Sequence, residues 1–335
     1  MLPIFAAFTE FIKAAFSSHV FLSEEITVVF LISVFIVLSS LEWRSPKIEH
    51  ARKNRAQSYR TNLGMFAFNS LMFSILSVSS VWLLIEPFSG TGLLHWLNHP
   101  VTKVVLSLLL LDLFHYLWHK TCHSFDGLWM FHRVHHNDSY LNVSTAFRIH
   151  LVEMILTALL KAVYIVLLGI DKKTVLAYET VYPFFVMFHH TNIAFRGEKW
   201  LGHLVVTPSL HRTHHSQERK EHDSNYGAIL SIWDSLLLTR KDVEPAAVGI
   251  KGESPQTLPA LIRFGFRTPK SSAPAPVLPA VSAKGFTLDV HAMIAEAAYY
   301  KAEKRSFSPG YELYDWLEAK REIFRQVYGE RCANC

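Results

Sequence analysis

"ITVVFLISVFIVLSSL", Ile26 to Leu41, contains no charged residue. With a few flanking residues it reaches the roughly 20 apolar residues that take a helix across a bilayer. Thr61 to Ile85 is a second uncharged run, and it is longer. Val104 to Trp118 follows with one charge, Asp112. Leu151 to Ile170 contains Lys161, and Thr174 to Phe188 contains Glu179 and Pro183. Charges inside spans are costly and face a protein interior or a polar cavity. The last two runs are joined by "GIDKK", Gly169 to Lys173, and also suit a re-entrant hairpin. The pattern predicts an all-α fold: a multi-pass membrane helical bundle.

Composition agrees with that reading. Half of the 335 residues are apolar and 18% are charged, below the roughly 25% of soluble domains. A net charge of +5 suits a membrane surface or an anionic partner; no nucleic-acid partner is expected. Cys122, Cys332 and Cys335 form no disulfide framework, so a reducing compartment is the default. "MLPIFAAFTEFIKAAF" at the start is too short to span and carries Glu10 and Lys13. It predicts an interfacial helix within residues 1–22.

The loop "EWRSPKIEHARKNRAQSYR", Glu42 to Arg60, holds Arg44, Lys47, Arg52, Lys53, Arg55 and Arg60. Excess Lys and Arg mark the cytoplasmic side. Threading the later runs from there brings His115, His119, His123, the 132–136 cluster, His189, His190 and the 211–215 cluster to that same side. The histidines played no part in drawing this topology, yet it gathers them at one end.

The chain has 19 histidines, far more than packing calls for. In "HRVHH", His132, His135 and His136 stand at i, i+3 and i+4, which share one face of a helix. "HRTHH" gives His211, His214 and His215 the same spacing. His115, His119 and His123 step by four. A structural zinc site needs only four ligands, usually including cysteine. At least eight imidazoles compete here, which argues for two metal ions. Zinc, copper, iron and nickel all accept imidazole. An imidazole-rich pair with open positions suits the binding and activation of O2 beside an apolar cavity. The cap of the bundle is therefore expected to be a cytoplasmic, histidine-rich di-metal site.

The ordered boxes "HKTCH" (His119–His123), "HRVHH" and "HRTHH" resemble those of the membrane fatty acid hydroxylase superfamily. That superfamily includes sterol desaturases and alkylglycerol monooxygenases. "DLFHYLWHKTCH" (Asp112–His123), "TAFRIHLVE" (Thr145–Glu153), "FHHTN" (Phe188–Asn192) and "DSNYGAILSIWD" (Asp223–Asp234) strengthen the likeness across roughly residues 25–240. Lys120 departs from the Arg common at its place. The resemblance implies a non-haem centre of two Fe ions that uses O2 to hydroxylate, desaturate or cleave an aliphatic lipid or sterol-like substrate. It implies the ligands His119, His123, His132, His135, His136, His190, His211, His214 and His215. His115 is a further candidate, as a ligand or as a group behind one, and His150 is a weaker candidate, either behind a ligand or in a structural contact with lipid or backbone. His189 is expected to point away from its neighbour His190. Asp112 is a candidate to hydrogen-bond a ligand imidazole, or to cap a polar path through the bundle. Asp223 is expected to orient a ligand histidine, and Asn225 either does so or forms a turn. No Gly-rich dinucleotide fingerprint follows a strand pattern, and the single CxxC at Cys332–Cys335 is too few thiolates for an iron–sulfur cluster. Electrons are then expected from an external donor, a separate electron-transfer protein.

Past Thr239 the composition changes. "KSSAPAPVLPAVSA" (Lys270–Ala283) reads as an extended linker. The stretch from Asp289 to Phe324 resembles a short helical module of unknown function found in bacterial proteins, which suggests a bacterial inner membrane. Its helices are expected over His291–Lys304 and Glu312–Val327, with a small core of Ala295, Ala298, Tyr299, Tyr314, Trp316 and Leu317. The expected organisation is an interfacial helix (1–22), a membrane oxygenase domain (23–240), a linker (241–285) and a helical module (286–335). Two rival readings are a histidine-rich metal-binding or transport protein and a membrane-anchored structural zinc protein. A transporter would carry histidines or carboxylates through its spans rather than at one end.

Overall fold

A computed structural model describes residues 24–76, 88, 91–252, 254–267, 290–307 and 310–328. The N-terminal interfacial helix, the end of the Thr61–Ile85 run, the Lys270–Ala283 linker and Cys332–Cys335 lie outside them. The described residues contain helices and two isolated bridges, Val205 to Leu230 and Ser216 to Val248, and no strand. The chain divides into two compact units, residues 1–271 and 272–335.

In the first unit the long helices are α1 (Glu24–Arg44), α2 (Arg52–Ile75), α3 (Pro100–Ser124), α4 (Asp126–His136), α5 (Leu151–Leu168) and α6 (Lys172–His190). Short helices follow: α7 (Glu198–Leu201), α8 (Pro208–His214), α9 (Arg219–His222), α10 (Ile232–Leu236) and α11 (Leu258–Phe264). Among the described residues, three helices are long and apolar enough to cross a membrane: Glu25–Arg44, Pro100–Ser124 and Leu151–Leu168. Within the described residues, α2 and α6 do not meet that measure. On α1 the side chains of Val28, Val29, Ile32, Ile36 and Val37 are more than half exposed. An apolar surface of that extent marks contact with lipid or another protein.

Local chemistry sets the ends. Pro100 occupies the first turn of α3, where its missing N–H costs nothing, and the His99 side chain accepts from Thr102 N. Asp171 caps α6 by accepting from Thr174 N at 3.0 Å. Gly169 ends α5 at φ +70°, a conformation only glycine adopts without strain. It also touches Gly92: a Cβ on Gly92 would lie 2.2 Å from Gly169 N. That backbone contact lets the turn at Leu93–Trp96 pack on α5. Leu94, Leu111, Ala162, Ile165, Ile170, Val175 and Tyr178 fill the resulting core among α3, α5 and α6.

Two polar centres lock the site end of the bundle. Asp138, fully buried, accepts from Ser58 Oγ (2.7 Å), Asn62 Nδ2 (2.9 Å) and Thr145 Oγ1 (2.8 Å), and lies 3.6 Å from Arg148. Burial pushes this carboxyl up, but Arg148 and these bonds outweigh it and hold it below the usual carboxylate range. Arg148 Nη1 in turn donates to Asn137 O, at the end of α4. Glu42 accepts from Val143 N and Asn192 N and from the Tyr59 hydroxyl, tying α1 to both histidine-bearing segments. Met65, Val134, Leu261 and Phe264 bind α2, α4 and α11 together.

The second unit is a helical hairpin of α12 (Val290–Lys304) and α13 (Glu312–Tyr328), each within one residue of expectation. Its core differs from the expected one. Ile294, Ala319 and Ile323 are buried, with Ala298 and Trp316 packed against them. Tyr299, Tyr314 and Leu317 are exposed, as is Ala295. Helical phase decides this: Ala319 and Ile323, four apart, define the inner face of α13.

Candidate metal centre

Phe125 has extended backbone angles (φ −116°, ψ 120°) and turns the chain sharply between α3 and α4. Residues thirteen apart then face each other. His119 Nε2 lies 3.1 Å from His132 Nε2, and His123 Nε2 lies 3.1 Å from His136 Nε2. With His214 from α8 these four make one pocket of five imidazoles, their ligand atoms within 4.8 Å of one another. His135, His190, His211 and His215 make a second pocket by the same measure. In it, His190 Nε2 is 3.0 Å from His135 Nε2 and 2.9 Å from His211 Nε2, and His215 Nε2 is 3.1 Å from His211 Nε2. The pockets adjoin: the His136 and His215 rings stack at 4.6 Å.

This arrangement explains the HxxHH spacing. In each box the first and last histidines, one turn apart, enter one pocket. The middle histidine enters the other: His135 joins His211 and His215, while His214 joins His132 and His136. Neighbours on a helix point about 100° apart, and the His135–His136 and His214–His215 ring planes cross at 85° and 86°. The expected single shared face per box is thus two faces serving two pockets.

The outer nitrogens fix the tautomers. His119 Nδ1 donates to Tyr226 O (3.0 Å), His214 Nδ1 to Ser224 O (2.7 Å) and His190 Nδ1 to Val186 O (2.6 Å), since a carbonyl only accepts. His132 Nδ1 donates to Glu153 Oε1 at 2.7 Å and His123 Nδ1 to Asp223 Oδ1 at 3.2 Å. A neutral imidazole has a single N–H, so the Nε2 atoms of His119 and His132 both present lone pairs to each other at 3.1 Å. Two facing lone pairs repel unless a cation sits between them. Two nitrogens bound to one ion at right angles, each about 2.1 Å away, stand roughly 3.0 Å apart. The spacing observed fits that geometry. Burial, and then the neighbouring imidazoles, push His135, His136, His211, His214 and His215 well below the usual histidine range. They are neutral at pH 7, as ligation requires. The donor set, nine imidazole nitrogens without thiolate, fits a pair of imidazole-favouring transition-metal ions.

Other expected site residues fall elsewhere. His115 lies outside both pockets, with its ring stacked 4.2 Å from Tyr182 and its Nε2 unpartnered. His150 caps α5, its Nδ1 accepting from Val152 N, and its ring sits between Phe131 and Phe266. Gly265 leaves room for that ring; a Cβ there would lie 2.4 Å from His150 Cδ2. Asp112 bonds no histidine. Its carboxylate accepts from Ile229 N, Leu230 N, Trp233 Nε1 and Tyr178 Oη, pinning the segment that carries Ser224 and Tyr226. Asn225, at φ 53°, holds the turn by donating to Leu210 O and Lys241 O. His189 does not point away: its ring centroid is 4.0 Å from that of His211. Glu153 went unread in the sequence: it ended a quoted motif without being assigned a role, and nothing local marks its reach to His132, 21 residues back. Trp129, by sequence an interfacial anchor or core residue, stacks its ring on His222, lies 4.9 Å from His123 and walls the five-histidine pocket.

A fatty acid hydroxylase family model matches residues 104–239, the stretch that contributes all nine pocket histidines. That stretch, and the relatives it matches, support the resemblance to the membrane fatty acid hydroxylase superfamily. Among curated proteins, it is 34% identical over 137 residues to ornithine lipid hydroxylase OlsE of Rhizobium tropici, covering 41% of each chain. It is 32% identical over 138 residues to alkylglycerol monooxygenase of Danio rerio, which is 40% of this chain and 29% of that one. The human alkylglycerol monooxygenase is 29% identical over 132 residues, 38% of this chain and 28% of its own. The match thus spans about two fifths or less of these relatives. A second family model, described as a protein of unknown function, matches residues 289–324. No solved structure matches the chain.

Proposed function

We propose that this chain is a membrane oxygenase that uses O2 and a pair of iron ions to hydroxylate an aliphatic lipid. The observation that supports this most is the pairing of five and four imidazoles in adjoining buried pockets, with the Nε2 atoms of facing rings 2.9–3.1 Å apart. His119, His123, His132, His136 and His214 hold one ion, and His135, His190, His211 and His215 the other. Bound iron supplies O2 activation and attack on an unactivated C–H bond. The chain supplies position and protection. Glu153, Asp223 and the carbonyls of Tyr226, Ser224 and Val186 keep the Nδ1 protons on the outside, so the Nε2 lone pairs face inward. Eight of the nine histidines are buried and His119 is half-buried, which keeps bulk water from the ions.

An apolar cavity of about 260 Å³ between α2 and α5 suits part of an alkyl chain. Phe66, Phe73, Phe147, Ile149 and Met154 line it, and Met154 follows Glu153 in sequence. The relatives' names favour a polar lipid as substrate, and hydroxylation over desaturation. The basic 42–60 loop favours a cytoplasmic site, within a bacterial inner membrane. Electrons come from a separate carrier, and residues 286–335 form a module apart from the chemistry.

Metal analysis of the purified chain tests the centre, with near two irons per chain expected and a single zinc refuting it. Untargeted lipid profiling of a strain lacking the protein tests the reaction. The expected missing product is one oxygen heavier than an accumulated precursor. A product two hydrogens lighter would replace hydroxylation by desaturation, and an unchanged lipid profile would remove the lipid reading.

A further inference from the structure

The two histidine pockets are not backed alike. Behind the five-histidine pocket stand two carboxylates: Glu153 on His132 at 2.7 Å and Asp223 on His123 at 3.2 Å. Backbone carbonyls support His119 and His214. Behind the four-histidine pocket, His190 leans on Val186 O, while His211 and His215 have no partner at Nδ1. Among the described residues no carboxylate bonds any of those four rings. Glu153 is 8% exposed, and its second oxygen has no hydrogen-bond partner. Its charge is therefore poorly screened by water and directed through His132 into the five-histidine pocket.

A carboxylate behind an imidazole holds the ring's tautomer and orientation and raises its basicity. It also sets negative charge within a few ångströms of a cation that the imidazoles cannot neutralise. We propose that the pockets are unequal by construction: the five-histidine pocket binds its divalent ion more tightly and fills first, and Glu153 and Asp223 are the positioning residues that make it so. Glu153 dominates, because Asp223 is a third exposed and shared with Arg219. This inference rests on the two-ion reading above.

The test is a Co2+ titration of the full chain in detergent, stripped beforehand with a chelator, followed by calorimetry and visible absorption. Two binding steps separated by at least about tenfold are expected. Glu153→Gln weakens the tight step by about 10- to 100-fold and leaves the affinity and absorption bands of the weaker step unchanged. Asp223→Asn, at a position a third exposed, acts in the same direction by less. His215→Ala removes the weaker step alone. Two indistinguishable wild-type steps overturn the inequality while leaving the two-ion centre standing. So does an unshifted tight step in both carboxylate variants, or loss of the tight step in His215→Ala. Uptake of fewer than two Co2+ by the wild type overturns both.

Discussion

Replacing Asp112 with asparagine tests how the segment after α9 holds its carbonyls against the histidines. Oδ1 of Asp112 accepts from Ile229 N (3.1 Å) and Tyr178 Oη (3.2 Å). Oδ2 accepts from Leu230 N (3.1 Å) and Trp233 Nε1 (2.8 Å). An asparagine retains one acceptor oxygen for Leu230 N and Trp233 Nε1 and turns its NH2 toward Ile229 N and the Tyr178 hydroxyl, which accepts from it. One bond is lost, and the buried Ile229 N–H then faces another donor. Leaving a buried group unsatisfied costs roughly 1–3 kcal/mol, so the change costs about 2 kcal/mol. At roughly 2–4 °C per kcal/mol for a domain of this size, thermal unfolding in detergent shifts down by on the order of 5 °C. The same segment carries Tyr226 O and Ser224 O, which orient His119 and His214. Metal content should therefore fall with stability, although residue 112 touches no ligand. Circular dichroism against temperature, with metal analysis of the same sample, reads both. A Tm within about 2 °C of wild type together with full metal content would refute the pinning role.

His135→Ala and His214→Ala should each abolish activity and reduce bound metal while the protein still inserts; metal analysis of washed membranes checks this, and full activity in either variant would cancel the ligand assignment. His150→Ala should behave oppositely, keeping its metal while losing about 1–3 kcal/mol through the lost cap and the gap beside Phe131 and Phe266. Gly92→Ala places a methyl 2.2 Å from Gly169 N, which only backbone movement relieves, so the Tm should drop by several degrees without loss of the histidine pairing seen by metal titration. Deletion of residues 270–335 should leave metal content unchanged, because all nine pocket histidines precede it.

What was legible in the sequence follows from period and length. Long apolar runs showed α1, α3 and α5, because a bilayer demands uninterrupted hydrocarbon and little else satisfies it. Histidines at i, i+3 and i+4 showed α4 and α8 as the helices that carry the pocket histidines. Long-range partners left no such mark. Glu153 reads like any residue in the first turn of a helix, and its bond to His132 exists only because the turn at Phe125 folds α4 back beside α5. Asp112 looked like a partner for histidine because it lies one turn before His115–His119 in sequence, yet its carboxylate meets a segment more than a hundred residues away. His115 kept the four-residue step and lost the site, since one more turn up α3 carries it among Tyr178 and Tyr182.

The exchange of middle histidines has a consequence for how the centre assembles. Neither HxxHH box can complete a pocket by itself: α4 lends His135 to the pocket built on α8, and α8 returns His214 to the pocket built on α3 and α4. The α3–α4 turn can bring four imidazoles together from residues within one short stretch, but that set lacks His214 until α8 docks. The second pocket draws on α4, α6 and α8 at once. Under the two-ion proposal each ion would join helices far apart in sequence. Such cross-linking accounts for two copies of one spacing where two separate sites would serve the chemistry of ligation equally well. It also means that losing the middle histidine of either box, His135 or His214, weakens the pocket that the other two histidines of that box do not occupy.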